Sequence, residues 1–345
     1  MRTLVLLLLA PVAWWTLPVA TDTVDIKEWR VPFRMNQDRV TVDGFPDSPR
    51  ENTRPRDPFV DQQHRVWFCG QAGNYIAYLE PSTGEFRRFE IDEGTHPHNL
   101  IVAKDGYVWY SGNTASHIGR LDPKTGDITK FVMPDPAVRD PHTLIFNREG
   151  DIWFTAQRSN VVGKLVVKTG KIHLIEVPTP RARPYGIVLD SHDRPWIALF
   201  GTNKIATVDP ETMILEEISL PRDAVRPRRI AVTSDDMIWY VDYAGGRLGQ
   251  LDPSTRRVRE WLTPAGSGSR PYAMASDDKD RLWFVESPRA EPSRLVGFDP
   301  AKDEFFGMTI LQSGGITVRH MVFYGPAREL WFGTDANTIA RARVP

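Results

Sequence analysis

The chain has 345 residues, of which 41% are hydrophobic and 25% are charged, and its formal net charge is -1 at pH 7. This composition is typical of a globular protein, argues against extended disorder and gives no global reason to expect a nucleic-acid partner. The single cysteine, Cys69, excludes an intramolecular disulfide and a cysteine-based zinc cluster. We expect its thiol, within "VWFCG", to be buried and inert.

The N-terminal segment, residues 1–20, is predicted to be a secretory signal peptide. Arg2 precedes an apolar run that leads to small residues near Ala20, which is the pattern of such signals. Pro18 stands where a small residue usually precedes the cleavage point, so an uncleaved anchor is the alternative. No later segment is long and apolar enough to span a bilayer. We therefore expect an exported protein, periplasmic or secreted, with residues 25–345 as one domain.

The rest of the chain repeats one pattern seven times. The repeats are marked by tryptophans 42 to 48 residues apart, at Trp67, Trp109, Trp153, Trp196, Trp239, Trp283 and Trp331. Each repeat holds four short runs of alternating apolar residues bounded by Asp, Gly and Pro, which is typical of strands and tight turns. Four-stranded units at this period predict an all-β fold, a seven-bladed β-propeller, with the tryptophans packed between adjacent blades.

The two ends of the chain predict how the ring closes. The last repeat has only three runs, "VRHMVFY", "ELWFGT" and "TIARARVP". The N-terminal run "DIKEWRVP", residues 25–32, matches the fourth run "RVREWLTP" of another repeat, so we expect it to complete the last blade and leave no open edge. The following insertion, residues 33–54, is predicted to cross the channel mouth, either as a partial lid or as a passive surface loop.

Positions at the start of each innermost strand should encircle one end of the central channel. Eleven residues before the tryptophans stand Arg56, His98, His142, Tyr185, Arg228, Tyr272 and His320, and two residues earlier stand Arg54, His96, Asp140, Arg183, Arg226, Arg270 and Val318. Their identities vary from blade to blade while the framework is constant, which favours a ligand site at this end. We expect Glu286 to pair with Arg270, and Asp242 to pair with Arg226 or Arg228.

The repeats "PHTLIFNREGDIWFT" and "SHIGRLDPKTGDITKFVMP" strongly resemble the streptogramin B lyases, also called virginiamycin B lyases. The resemblance implies a seven-bladed propeller and a carbon–oxygen lyase that confers antibiotic resistance by opening a cyclic depsipeptide at its ester through magnesium-assisted elimination. It also implies a site built from a histidine in the sixth blade, and from a Glu-x-His pair and a final glutamate in the seventh. This chain keeps His320 but has Tyr272, Val318 and Thr334 at the other three positions.

The residues "DPH" in the third repeat suggest that the site is rotated by whole blades. In this hypothesis the catalytic residues are His98, His142 and Asp140, with His320 as the position kept from the family. The residues expected to bind substrate are Arg56, Tyr185, Arg228, Tyr272 and Arg270. Asp140 and Glu286 are the candidate ligands for magnesium.

The alternative is a non-catalytic periplasmic propeller that uses the same face to bind an anion, a cell-wall fragment or another protein. In both cases we expect a monomer whose ligand lies at the channel mouth.

Overall fold

The computed structural model describes residues 23–34 and 52–345. The predicted signal segment, residues 1–20, and most of the predicted insertion, residues 33–54, lie outside the described residues. Within the described part of the chain the only helices are two 3-10 turns, Gly266–Gly268 and Gly325–Ala327. No described helix has the length and apolar character needed to cross a membrane.

The described strands form seven antiparallel sheets of four strands, in agreement with the predicted all-β propeller. Blades 1 to 3 contain β2 (Pro55–Val60), β3 (Val66–Gly70), β4 (Tyr75–Glu80), β5 (Glu85–Glu90); β6 (Leu100–Val102), β7 (Val108–Gly112), β8 (His117–Leu121), β9 (Ile128–Val132); and β10 (Pro141–Phe146), β11 (Ile152–Ala156), β12 (Val161–Val166), β13 (Lys171–Glu176).

Blades 4 to 7 complete the ring. They contain β14 (Pro184–Leu189), β15 (Pro195–Leu199), β16 (Lys204–Val208), β17 (Leu215–Ser219); β18 (Pro227–Val232), β19 (Ile238–Asp242), β20 (Arg247–Leu251), β21 (Val258–Leu262); β22 (Met274–Ser276), β23 (Leu282–Glu286), β24 (Arg294–Asp299), β25 (Glu304–Ile310); and β26 (Val318–Tyr324), β27 (Glu329–Thr334), β28 (Thr338–Arg343) with β1 (Asp25–Arg30). The innermost strands contact their neighbours around the ring, and β26 contacts β2.

The apolar core lies between blades rather than within one sheet. The second strand of every blade is fully buried, whereas the outer fourth strands alternate between exposed and half-buried residues. All seven repeat tryptophans are buried. Trp153 packs with Ile187 and Ile197 of blade 4, and Trp331 packs with Val66 of blade 1, so the predicted packing between adjacent blades is confirmed.

The N-terminal strand closes the ring as predicted. β1 pairs with β28 in antiparallel register, from Asp25 opposite Arg343 to Arg30 opposite Thr338. Trp29 of β1 stacks on Trp331 with 5.5 Å between ring centroids, and Trp261 stacks on Trp239 at the same distance. These equivalent outer-strand tryptophans show that β1 is the fourth strand of blade 7.

Blade 7 differs from the other blades in the spacing between its first two strands. Trp239 of blade 5 pairs with Ala231, eight positions earlier, whereas Trp331 pairs with Val322, nine positions earlier. Counting eleven residues back from the tryptophan therefore reaches one position too far along the inner strand. Arg319, and not His320, is the blade 7 equivalent of Arg228, and a shift of one residue turns a side chain to the other face of a strand.

Candidate functional site

A cavity of about 270 Å³ lies at the end of the channel where the first strands begin, and we call it the upper cavity. Its lining residues are Arg54, Arg56, His142, Gln157, Arg158, Arg183, Tyr185, Phe200, Arg228 and Arg319. Six of these described residues are arginines, and none is Asp or Glu. Guanidinium groups bind carboxylates and phosphates through paired charge-assisted hydrogen bonds. The upper cavity is therefore suited to an anionic ligand.

The structure brings the predicted pair His98 and His142 together. Their ring centroids are 3.5 Å apart, and both side chains are almost fully buried. Burial, reinforced by nearby guanidinium groups, holds the pKa of each imidazole well below its ordinary value. Both rings are therefore neutral near pH 7. Only His142 lines the upper cavity, and its Nδ1 lies 2.9 Å from the hydroxyl oxygen of Thr143.

Asp140 is placed to support a turn. Its carboxylate accepts hydrogen bonds from the backbone N–H groups of Arg158, at 2.7 Å, and Ser159, at 3.3 Å. Its backbone has a φ of 55°, a left-handed conformation that is uncommon outside glycine. Burial raises the pKa of the carboxyl to about 6 despite these bonds. Asp140 makes no hydrogen bond to His142 and instead positions Arg158 at the cavity wall.

His320 lies on the other side of the channel from the upper cavity. It lines a mainly apolar cavity of about 390 Å³, bounded by the inner strands of all seven blades, and we call it the lower cavity. Burial and the Arg229 guanidinium lower the pKa of His320 to about 3. The neighbouring Arg319 takes the place in the upper cavity that was predicted for His320, and its guanidinium pairs with Asp335.

Arg228 is enclosed by aromatic rings. Its guanidinium carbon lies 3.8 Å from the ring centroid of Tyr272, 4.4 Å from those of Phe200 and Tyr243, and 5.2 Å from that of Tyr185. Such cation–π contacts hold a buried cation without a carboxylate. Of the residues predicted to bind substrate, Arg56, Tyr185 and Arg228 line the upper cavity.

The two other predicted substrate-binding residues, Tyr272 and Arg270, form hydrogen bonds with tyrosines that surround Arg228. The hydroxyl groups of Tyr272 and Tyr185 are hydrogen-bonded to each other. Arg270 donates from Nε to the hydroxyl of Tyr243 at 3.0 Å. Both side chains therefore hold residues around Arg228, and neither is among the residues that line the upper cavity.

A layer of polar residues that the sequence analysis missed separates the two cavities. Arg229 crosses the channel and donates to the carboxylate of Asp57 at 2.9 Å, to the Thr143 hydroxyl at 3.2 Å and to the carbonyl of Arg319 at 2.8 Å. Asn99 also donates to Asp57, at 3.1 Å. Burial would raise the pKa of Asp57, but the Arg229 guanidinium, followed by other positive neighbours, outweighs it and holds that pKa well below its ordinary value.

The signal for this layer was present in the sequence. Asp57 and Arg229 each stand one position after a residue of the predicted ring, in "RPRDP" and "RPRRI". An Asp and an Arg at equivalent positions of two blades can pair only across the channel. Considering both positions of each inner strand would therefore have revealed the pair.

The virginiamycin B lyase family matches residues 49–342, which is most of the chain. The chain belongs to this family. No protein of curated function matched the chain.

Solved structures of virginiamycin B lyases have the same fold. A streptogramin B lyase superposes with a TM-score of 0.79 at 23% identity, over 93% of this chain and 98% of that one. The virginiamycin B lyase from Staphylococcus aureus gives a TM-score of 0.78 at 23% identity, over 93% and 100%. A catalytically inactive histidine-to-alanine variant of the Staphylococcus aureus enzyme with quinupristin gives 0.78 at 24% identity, over the same shares. At these identities the likeness shows the fold alone.

Asp140 and Glu286, the candidate magnesium ligands, do not form a metal site in the described part of the chain. Glu286 pairs with Arg294 at 2.6 Å and accepts a hydrogen bond from the backbone N–H of Ala265 at 3.0 Å. Asp140 is occupied by the turn described above, in a different blade. The described residues contain no group of three or more His, Cys, Asp or Glu side chains placed to hold a metal ion.

Two expected ion pairs at the channel mouth are wrong. Glu286 pairs with Arg294 of the neighbouring strand β24 rather than with Arg270, because the two residues face each other across β23 and β24. Asp242 pairs with Arg222 at 2.8 Å, and its contact with Arg226 is to the backbone N–H at 2.9 Å. Glu286 and Asp242 are therefore paired with arginines that do not line the upper cavity.

Proposed function

We propose that the chain is a lyase-type enzyme that acts on an anionic small molecule bound in the upper cavity. The observation that carries this proposal is the cavity lining, in which six arginines and no carboxylate stand around one small space. Membership of the virginiamycin B lyase family supports an elimination as the reaction class. The arginines support a carboxylate-bearing substrate more strongly than the cyclic depsipeptide that the resemblance implies.

The arginines also supply the charge stabilisation that such an elimination needs. Removing a proton next to a carboxyl or ester group places negative charge on its oxygens, and fixed guanidinium groups stabilise that charge. The neutral imidazole of His142 lies in the same wall and can exchange a proton or donate a hydrogen bond. Magnesium assistance would require ligands that the described residues do not bring together.

A non-catalytic receptor for a small anion is the second candidate. It is favoured by the position of His98, a predicted catalytic residue that is fully buried and does not line the upper cavity. A receptor needs the arginines alone, whereas an enzyme must also bring a substrate atom to a proton-transfer group. Ligand binding without turnover would support this candidate.

The binding step is tested by calorimetry with malonate, glucuronate and inorganic phosphate, with glucose as the neutral reference. Arg183 is exposed and lines the upper cavity, whereas Arg181 is an exposed arginine of the same loop that does not line it. We expect Arg183→Gln to weaken binding of the preferred anion about tenfold, the size of one charge-assisted hydrogen bond, and Arg181→Gln to leave it unchanged. Equal loss in both variants, or no binding of any of the three anions, would contradict the proposal.

We also propose that the protein is exported, on the pattern of residues 1–20, and that it is monomeric. N-terminal sequencing of the protein from a periplasmic fraction is expected to begin directly after Ala20, and size-exclusion chromatography is expected to give one copy per particle. Recovery of the uncleaved chain with the membrane would instead support the anchor.

A further inference from the structure

We propose that Tyr185, with Tyr272 as its hydrogen-bond donor, accepts the proton in a metal-independent elimination on a small carboxylate-bearing substrate. This inference rests on the proposed function and deepens it, because it names the reacting group and the substrate class. It starts from two buried phenols at the base of the arginine-lined cavity that sequence reasoning had placed only as ligand contacts.

The position of Tyr185 gives it access to a ligand. It lies on β14 and lines the upper cavity together with Arg56, Arg228 and His142. Its hydroxyl is hydrogen-bonded to that of Tyr272, which comes from blade 6, two blades further around the ring. Because each phenol has one proton, one of the two hydroxyl groups must donate and the other must accept. The accepting oxygen is the one that can act as a base.

The groups around Tyr185 are cationic or neutral. Its ring centroid lies 5.2 Å from the guanidinium carbons of both Arg228 and Arg229 on β18, and Arg56 approaches from β2. The ring centroid of Tyr185 lies 4.1 Å from that of His142 on β10 and 6.5 Å from that of His98, which precedes β6. Both imidazoles are neutral. Asp57, the acid of the polar layer below the cavity, is bonded to Arg229.

These surroundings separate the roles of the two phenols. Burial would raise the pKa of Tyr185, but the guanidinium groups outweigh burial and leave that pKa below its ordinary value. Burial raises the pKa of Tyr272 to about 12. Tyr272 therefore keeps its proton, and its hydroxyl donates a hydrogen bond to the oxygen of Tyr185. A base stabilised by fixed cations and one donor has no need of a metal ion.

The proposed step conserves atoms and electrons. The Tyr185 phenolate takes the proton from the carbon next to the substrate carboxylate, and the electrons of that C–H bond form a carbon–carbon double bond. The bond from the adjacent carbon to its oxygen substituent breaks, and that oxygen leaves with the bonding pair. It then takes the proton from the Tyr185 hydroxyl, which returns the phenolate to its starting state. No oxidant, reductant or metal enters the step.

The cavity also limits the substrate class. Its volume of about 270 Å³ is below the range of roughly 300–1,000 Å³ that holds drug-sized ligands, so it fits one small acid better than a macrocycle. The substrate must carry a carboxylate for the arginines, a hydrogen on the neighbouring carbon and an oxygen substituent on the next carbon. A glycosidically linked uronic acid has this chemistry.

The ionisation of Tyr185 is tested without any ligand by ultraviolet difference titration of tyrosinate. We expect one phenol of the wild-type protein to ionise below the ordinary pKa of tyrosine. Tyr185→Phe should abolish that ionisation, and Tyr272→Phe should move it to higher pH because the donated hydrogen bond is lost. An early ionisation that survives in Tyr185→Phe, or no early ionisation in the wild type, would overturn the inference.

Proton abstraction is tested by nuclear magnetic resonance in D₂O, with glucuronate as the probe and a chelator present. We expect the wild type to exchange the hydrogen next to the carboxylate, and Tyr185→Phe to slow that exchange at least about a hundredfold, as removal of a general base does, while glucuronate binding is retained. Exchange that needs added magnesium, or that persists in Tyr185→Phe, contradicts the inference. Binding without exchange overturns the inference alone, whereas absence of binding counts against the proposed function.

Discussion

At the scale of single residues, Arg229 of blade 5 couples distant blades, because it bonds to residues of blades 1, 3 and 7. Arg229→Met would leave the buried carboxylate of Asp57 without its main cation, and we expect a loss of about 3–5 kcal/mol in the free energy of unfolding. The double variant Asp57→Asn, Arg229→Met should lose much less than the sum of the two single losses. Chemical denaturation of the four proteins measures this coupling.

An exposed ion pair is the control, and the acid transition is a second test of the pair between Asp57 and Arg229. Arg256→Met breaks an ion pair with Glu216 in which both side chains are about half exposed, so we expect little measurable change in the free energy of unfolding. Because the pKa of Asp57 is depressed in the folded state, its ionised form stabilises the fold above the unfolded-state pKa, near 4, and this contribution fades as the pH falls. A wild-type acid transition identical to that of Asp57→Asn would contradict this assignment.

The repeat tryptophans offer a second comparison of single residues. Trp283 donates from its indole to Asp277 at 2.8 Å, whereas the buried indole nitrogen of Trp153 has no hydrogen-bond partner. Both rings are fully buried, so Trp153→Ala should lower the free energy of unfolding by about 3–5 kcal/mol. Trp283→Phe should cost about 1 kcal/mol more than Trp153→Phe, because only Trp283 loses a hydrogen bond. Thermal unfolding that ranks the two Phe variants in the opposite order would contradict this expectation.

At the scale of single elements, β1 is the strand on which closure depends. Deleting residues 25–32 removes the partner of β28 and the ring of Trp29 from Trp331. The bare edge of β28 should then pair with other chains. We expect aggregation or a large fall in the melting temperature, measured by light scattering during a thermal scan. A truncated chain that stays monomeric and melts like the parent would show that the stability of the ring does not depend on β1.

Strand identity was predictable from the sequence, whereas strand register was not always so. Alternation of apolar residues and the Asp-Pro turns placed all four runs of each repeat, because these features report local burial and local turn chemistry. The single extra residue before Trp331 was not detected, because it falls in the turn around Gly325–Ala327 and leaves both flanking strand patterns intact. Because of this extra residue, Arg319 lies at the upper cavity in place of His320.

At the scale of the whole molecule, repetition made the fold predictable and concealed the site. Seven similar blades require the same buried residues, so one sequence contains seven observations of each structural position. The polar residues of the channel occur once each, and their partners come from blades that are distant in sequence. Arg229 and Asp57 are 172 positions apart, and the hydroxyl groups of Tyr185 and Tyr272 meet across 87. Only the closed ring brings such pairs together.

The pairing of β1 with β28 predicts that the ring tolerates a new chain order. Because Asp25 lies opposite Arg343, β1 could follow β28 through a short turn, as the fourth strand follows the third in the six other blades. We therefore expect a permuted chain of residues 52–345, a Gly-Asn-Gly linker and residues 23–34 to fold. Its melting temperature should lie within a few degrees of the parent, a difference on the order of 1 kcal/mol.

The control for this permuted chain is residues 52–345 alone, which lacks β1 and should be strongly destabilised. The permuted chain also omits residues 35–51, so its affinity for the preferred anion measures what that segment contributes to ligand binding. Faster association and release of the anion would identify a partial lid, since closure over a site limits exchange, and unchanged rates would identify a passive loop. If the permuted chain is no more stable than its control, closure of the ring requires the native connection from β1 to β2 as well as the pairing of β1 with β28.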